Sequence, residues 1–561
     1  MPRKKRHDDP RGPAGPGLER REFLRVAGAA AAAGALAPSA LVAEGSAAAA
    51  GAPAPAPLPP SLRQQAPVLA LGNGESPALV FQPYPGGTGA LMERLWREHG
   101  PRLFERTPIE AEPWAGPVPT DEEDIAFLPV SRLTALLRER HITSAELTEI
   151  YLSRLRRYDP VLLCAVSILE ARAREEARRA DEEISAGQWR GPLHGVPYGV
   201  KDLFAVGGAP TTWGSADFAT RVIDEDAEVV VRLRDAGAVL IAKLATGEFA
   251  RGDVWHRGRT RNPWNVDEGS SGSSAGPGSA TAAGLVAFSI GTETRGSIVS
   301  PARRNGLSAL RPTFGRVSRH GGMVLSWSMD KVGTICRSIE DCALVFEAIH
   351  GASELDPASV TTPFAFNRSP DLAALRIGYT DDAPESFLRL LSGLGASLRP
   401  MRPLPEGRSD QLGVESAAAF DYHVAPGGGE PAPLPAGLSQ EERGRLSRFR
   451  DGRETRGIDY VNAQRRRLFL MQEMAAAMEG FDMFVSGSGE VALTNDTGHP
   501  AVVVPYDFGV RNPEADNPTT MPLTTVLVGD LYQDDKLLSV AHAFQAATDW
   551  HLRRPDLSRV G

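Results

Sequence analysis

Two stretches of glycine and small hydroxylated residues constrain this chain more than anything else in it. They are Gly269-Ser270-Ser271-Gly272-Ser273-Ser274-Ala275-Gly276-Pro277 and Gly291-Thr292-Glu293-Thr294-Arg295-Gly296-Ser297-Ile298. A lone Gly/Ser run reads as a flexible loop. Here, however, the intervening segment from Ala280 to Ile290 is small and mainly apolar and suits a tightly packed core element. Loops anchored to such an element are held in place, and their glycines supply unusual backbone angles and close approach rather than slack. A third segment, Gly195-Val196-Pro197-Tyr198-Gly199-Val200-Lys201-Asp202-Leu203-Phe204, sets Lys201 inside an apolar, strand-like run. By itself that lysine reads as a snorkelling structural residue. Burial would also penalise its charged form and turn it into a usable base near neutral pH. Arg295 could depress it further by like-charge repulsion, and Asp202 could oppose that shift.

In this order the three segments resemble the amidase signature family. The likeness continues through Gly306-Leu307-Ser308-Ala309-Leu310-Arg311-Pro312-Thr313-Phe314-Gly315-Arg316-Val317-Ser318-Arg319, Ser328-Met329-Asp330-Lys331-Val332-Gly333 and Glu340-Asp341. It runs from about Phe127 to Ile349, fades, and returns at Leu493-Thr494-Asn495-Asp496-Thr497-Gly498-His499-Pro500-Ala501. The resemblance implies a Ser-Ser-Lys triad with Ser297 as nucleophile, Ser273 as bridging serine (on a cis peptide bond in the family) and Lys201 as base. It implies that the backbone N–H groups of Thr294, Arg295, Gly296 and Ser297 form the oxyanion hole, with no metal and no cofactor. The Gly-Ser-Ser pattern occurs twice. Ungapped spacing from Asn262-Pro263-Trp264-Asn265 and back from Gly284-Leu285 selects Ser273 over Ser270. Ser271, Ala275, Pro277 and Arg295 depart from the common pattern, and the role of Arg295 stays open.

The implied activity is hydrolysis of a carboxylic amide, small-molecule or peptide, through an acyl-enzyme. An inactive or ester-selective member and the glutaminase subunit of a tRNA amidotransferase are the alternatives. For the latter, Leu446-Ser447-Arg448-Phe449-Arg450-Asp451-Gly452 only echoes the expected glutamine-recognition run. Gly272-Ser273-Ser274-Ala275-Gly276 formally satisfies the nucleophile elbow of an α/β-hydrolase, with His499 downstream, but a loop-like segment precedes it where an elbow needs a strand. Pocket walls are expected mainly from residues beyond about 350 and from the 61–122 extension. A homodimer is left open.

The chain divides into three parts. Residues 1–46 hold Arg20-Arg21-Glu22-Phe23-Leu24 ahead of the uncharged stretch Val26–Ala43, a pattern that resembles a twin-arginine export signal. Cleavage is expected between Ala40 and Ala50, with no cysteine nearby for a lipid anchor, so the mature protein is expected to be periplasmic or secreted, without a stable membrane anchor. Residues 47–122 comprise an Ala/Pro linker (Ala52–Pro60) and an extension with apolar patches at Val68-Leu69-Ala70-Leu71 and Leu79-Val80-Phe81. Residues 123–555 form the catalytic domain.

Within that domain, Ser131 opens a helical pattern with Leu133, Leu136 and Leu137. Thr143 and Glu146 form a capping box ahead of a helix that Pro160 is expected to end. Ala227–Ala236 reads as a helix closed by Gly237, followed by the strand Val239–Ala242. Helices alternating with short apolar strands predict a three-layer α/β/α sandwich around a large mixed, mostly parallel twisted sheet. The net charge of −9 argues against a nucleic-acid partner, and Arg465-Arg466-Arg467 reads as a solvated helix face. Cys164, Cys336 and Cys342 have no metal-ligand spacing and read as small buried hydrophobes.

Overall fold

A computed structural model describes residues 81–424, 440–514 and 516–560. All of them belong to the single compact unit Val68–Gly561. The expected export signal, the linker and the apolar patch at 68–71 lie outside the described residues.

Eleven strands form the central sheet. In chain order they are β1 (Ala165–Ile168), β2 (Pro197–Lys201), β3 (Val239–Leu244), β4 (Phe288–Glu293), β5 (Ser308–Arg311), β6 (Lys331–Cys336), β7 (Arg376–Tyr379), β8 (Ser397–Pro400), β9 (Met483–Ser486), β10 (Ala501–Val510) and β11 (Thr520–Gly529). Their order across the sheet is β1-β3-β2-β4-β6-β5-β10-β11-β9-β7-β8. The fold is the expected α/β class around a large mixed sheet. The balance of directions is closer than expected: β3-β2-β4 and β9-β7-β8 run parallel, and the other six neighbouring pairs are antiparallel. Long excursions between paired strands permit both directions, so helix-strand alternation does not determine the ratio.

Successive side chains of a strand point to opposite faces, and here both faces are buried. Val502 and Val504 of β10 enter one apolar cluster while Ala501 and Val503 enter another. Leu527 of β11 and Leu310 of β5 join the first, and Val526, Val528 and Ala309 join the second. The first cluster takes in helices Ser144–Leu162, Ile339–Ile349 and Asp534–Ala546; the second takes in Val299–Arg304 and the end of Gly457–Met478. Such double burial accounts for the near-continuous apolar runs of these strands.

Local rules hold in most places. Thr143 caps Ser144–Leu162 with the reciprocal Glu146 bond of a capping box. Helix Glu228–Asp235 is closed by Gly237 at φ +83°. Pro160 does not end its helix, which continues to Leu162. The stop comes at Leu163, in the left-handed region, while Asp159 Oδ1 accepts the N–H groups of Cys164 at 2.8 Å and Ala165 at 2.7 Å. A proline in the last turn removes a single hydrogen bond, and Asp159 supplies the true terminus. Helix Gly87–His99 buries Leu91 and Leu95 against Leu531 and Tyr532. All three cysteines are buried thiols. Among the described residues, no helix is long and apolar enough to cross a membrane.

Candidate active site

Strand β2 is buried along its whole length and ends on Lys201. The Lys201 Nζ lies 2.8 Å from Ser273 Oγ, 2.8 Å from Thr292 Oγ1 and 3.3 Å from the Thr292 carbonyl. Burial drives its pKa well below the ordinary lysine value, against the opposing pull of Asp330 and Glu293. The charges expected to act on it are elsewhere. Asp202 is turned to the buried Lys243 at 2.8 Å and to Thr212, and Arg295 is exposed.

The Gly/Ser loop delivers Ser273 through a constrained backbone. Ser271 adopts φ +62°, in a position where the family pattern has glycine, and its N–H is held by Asp253 Oδ2 at 3.0 Å. The Gly272–Ser273 peptide bond is cis. A Cβ on Gly272 would stand 1.8 Å from the Gly252 carbonyl oxygen, so no other residue fits there. Ser270 is turned away and donates to the Ala275 carbonyl at 3.1 Å. Ser274 then ties the loops together: its N–H donates to the Ser297 carbonyl at 3.2 Å, and its hydroxyl donates to the Thr292 carbonyl at 3.1 Å.

Lys201 and Ser273 are thus in direct contact, whereas the Ser297 carbonyl accepts from the N–H of Ser274, the residue after Ser273. Ser297 is half-buried after Gly296, which has φ +94°. Among the described residues, no hydrogen bond links the Ser297 and Ser273 hydroxyls, so of the two expected side-chain links only that between Lys201 and Ser273 is formed. Catalytic contacts commonly tighten only around substrate.

The segment between Glu293 and Ile298 is fixed at both ends. Glu293 Oε2 accepts the N–H groups of Ile298 at 2.7 Å and Val299 at 2.9 Å. Its Oε1 accepts from Arg311 at 2.8 Å and Asn495 at 2.7 Å. Burial would raise its pKa, but Arg311 and these donors hold it at about 2. Thr294 Oγ1 donates to Asp330 Oδ1 at 2.6 Å, and Asp330 Oδ2 accepts from the Leu325 and Ser326 N–H groups. Among the described residues, the N–H groups of Thr294, Arg295, Gly296 and Ser297 have no protein acceptor.

Thr292, Glu293, Asp330 and Asn495 lie inside the matched segments, but sequence reasoning gave them no task. Their signal was only that polar residues recur in otherwise apolar surroundings. His499 is buried with Nδ1 2.8 Å from Thr497 Oγ1, and burial holds its pKa down to about 4. The strand ahead of Gly272, Asn265–Gly269, belongs to a two-stranded ribbon outside the main sheet, so the site is no α/β-hydrolase elbow.

A cleft of about 560 Å³ carries Thr292, Thr294 and Asp330 on one wall and Trp213, Met323 and Trp327 among its others. Most of its lining comes from residues 203–250 and 319–332, with Leu355, Asp356, Pro357 and His423 beyond, and none of the described lining residues comes from the extension. A second cavity, of about 670 Å³, draws on the regions expected to supply pocket walls, with Phe81, Gln82 and Tyr84 from the extension and Val414, Tyr460 and Met471 from beyond residue 350. Arg467 is a correction. Arg465 and Arg466 are exposed, but Arg467 is buried and donates to Ser328 Oγ at 2.7 Å, the Ser328 carbonyl at 2.9 Å and the Asp496 carbonyl at 2.7 Å. Among the described residues, no group of three or more His, Cys, Asp or Glu is placed to hold a metal ion.

The fold and matched segments define an amide-hydrolysing enzyme. The chain belongs to the amidase family, whose model, described as Amidase, matches residues 146–391. It is 32% identical over 482 residues to a protein designated an amidase, AmiD, of Mycobacterium bovis, covering 79% of this chain and 98% of that one. It is 30% identical over 491 residues to a glutamyl-tRNA(Gln) amidotransferase subunit of Methylococcus capsulatus, covering 76% and 98%. The native peptide amidase of Stenotrophomonas maltophilia superimposes with a TM-score of 0.64 at 28% identity, covering 77% of this chain and 98% of that one.

Proposed function

We propose that the chain hydrolyses carboxylic amides of small molecules or peptides through an acyl-enzyme on Ser297. A serine hydroxyl is weakly nucleophilic until a neighbour takes its proton. Ser273 passes that proton to neutral Lys201 as Ser297 attacks the amide carbonyl. The N–H groups from Thr294 to Ser297 hold the resulting oxyanion, each donor contributing about 3–4 kcal/mol in hydrolases of comparable design. Lys201 returns the proton through Ser273 to the leaving amine. Water then enters, loses a proton by the same relay, and releases the acid.

The observation that carries this reading is the 2.8 Å contact between Ser273 Oγ and a lysine that is buried and biased towards its neutral form. The test is labelling with a fluorophosphonate followed by mapping of the adduct. The adduct is expected on Ser297 and absent from Ser297→Ala; an adduct on Ser274 or any other residue overturns the assignment.

The likeness to an amidotransferase component supports a second reading, in which the chain releases ammonia from glutamine for a partner. Turnover of free glutamine with none of simple or peptide amides would favour it. We also propose export by the twin-arginine route, on the pattern at Arg20-Arg21 and the uncharged stretch behind it. Fusion of residues 1–50 to a reporter, with Arg20→Lys/Arg21→Lys as the control, tests that: retention of the wild-type fusion in the cytoplasm rejects it.

A further inference from the structure

The stretch that carries the N–H groups of Thr294, Arg295, Gly296 and Ser297 has few anchors of its own. Gly296 has no side chain, Arg295 is exposed, and among the described residues only Thr294 of the four has a side-chain hydrogen bond. Downstream, Glu293 holds the N–H groups of Ile298 and Val299. Upstream, the hold is Asp330. Strands β4 and β6 pair antiparallel with Glu293 opposite Lys331, and the same register carried one step further sets Thr294 opposite Asp330. There the link passes to side chains: Thr294 Oγ1 donates to Asp330 Oδ1 at 2.6 Å, with the two residues 7% and 8% exposed.

Asp330 is itself fixed. Its Oδ2 accepts the N–H groups of Leu325 at 2.8 Å and Ser326 at 3.0 Å, and its own N–H donates to the Ser326 carbonyl at 3.0 Å. The Ser326 hydroxyl is tied in turn to the buried Glu415. A carboxylate with one oxygen occupied by two backbone donors offers its other oxygen as a stationary acceptor. Burial lowers the pKa of Lys201, and the negative charge of Asp330 opposes that shift, as does Glu293. A carboxylate that works against a neutral base does not serve to activate it. Its contacts point instead to the loop before Ser297.

We propose, resting on the acyl-enzyme reading above, that Asp330 is a positioning residue: through Thr294 Oγ1 it aims the Thr294 N–H, and the donors that follow it, at the oxygen that becomes negative as Ser297 attacks. This extends that reading from the reacting groups to the residue that places them.

The test follows labelling by a fluorophosphonate on the alkaline plateau, where Lys201 is neutral. In that reaction Ser297 Oγ bonds to phosphorus, fluoride leaves, the hydroxyl proton passes to Ser273, and the phosphoryl oxygen takes the place of the oxyanion. Thr294→Val keeps the side-chain shape and removes the tether. It should lower the maximal rate kinact about tenfold or more with KI within about twofold of wild type. Thr294→Ser, which keeps the hydroxyl, should restore kinact to within about threefold. Asp330→Asn should slow wild type as strongly but change Thr294→Val by less than about twofold, because the two residues act through one bond. If Asp330→Asn fails to fold, the two Thr294 variants decide. A Thr294→Val kinact equal to that of wild type overturns the proposal, as does a change confined to KI, no recovery in Thr294→Ser, or effects of the two substitutions that multiply in full. Ammonia release from benzamide and hexanamide is measured alongside. The expected labelling pattern without release of ammonia upholds the role of Asp330 and counts against the amidase reading, whereas ammonia release with an unslowed Thr294→Val rejects the role of Asp330 alone. A wild-type adduct absent from Ser297 rejects both.

Discussion

Arg311 donates through Nη1 to Glu293 Oε1 at 2.8 Å, with both side chains wholly withdrawn from solvent. Removing one member of such a pair leaves the other charged, buried and unmatched, at a cost of about 3–5 kcal/mol. Glu293→Gln is therefore expected to lower the urea midpoint sharply and to depress turnover, because Arg311 loses its counter-charge and one of the two accepting oxygens becomes an NH2 that faces donors. A variant as stable as wild type would show that the pair contributes little.

The same carboxyl sets an acid limit. Its pKa is held at about 2 in the folded chain against 4.5 without such partners. The folded state therefore binds this proton more weakly than the unfolded chain does. The associated stability, about 3 kcal/mol from the shift, is present above pH 4.5 and is lost as pH falls towards 2. Thermal melts between about pH 6 and 3 should show a descending limb that is shallower in Glu293→Gln.

Activity should respond to pH in the opposite region. In the proposed mechanism Lys201 acts as a neutral amine, and burial lowers its pKa. On this reading kcat/KM rises with pH through the lowered value and stays high into mildly alkaline conditions. A histidine base would reach its plateau near about pH 7. Lys201→Ala should remove nearly all turnover while the far-ultraviolet circular dichroism stays unchanged. A flat profile from acid to alkaline pH counts against lysine as the base.

The Gly/Ser loop can be probed sterically. A Cβ at Gly276 would meet the Ala245 N and the Cys164 carbonyl oxygen, each at 2.3 Å, and neither backbone atom can yield easily. Gly276→Ala is expected to cost about 1–3 kcal/mol or more. Gly457→Ala, at an open helix start with nothing within 4 Å, is the control and should leave the melting temperature unchanged or raise it.

Much of the site was legible because its information is local. The Thr143–Glu146 box lies within one turn, and the spacing from Asn262 to Ser273 distinguished two otherwise equivalent serines. What was not legible depends on distant partners. Arg467 sits in a run of three arginines that reads as one solvated patch, yet its acceptor Ser328 lies 139 positions away. Nothing local separates it from Arg465. The pair gives a direct comparison: Arg467→Ala should cost about 2–3 kcal/mol through its buried charged hydrogen bonds, and Arg465→Ala less than about 0.5 kcal/mol. Similar melting temperatures for the two would deny Arg467 its structural part. The parallel-to-antiparallel ratio was hidden for the same reason, since pairing partners are chosen across the whole sheet.

Ser274 bonds at once to the Ser297 carbonyl and to Thr292, and Lys201 to Ser273 and Thr292, so the two Gly/Ser loops and the ends of β2 and β4 are tied into one unit. The cleft wall that carries Trp213, Met323 and Trp327 belongs to other stretches of chain. On the proposed mechanism, with this cleft admitting the substrate, reactivity and selectivity would diverge on separate evolutionary clocks: drift in the walls would change which molecule is admitted without disturbing the reacting groups. For an engineer this marks a boundary, with residues 213, 221, 323, 327 and 423 open to a combinatorial library and 270–276 and 291–298 left untouched.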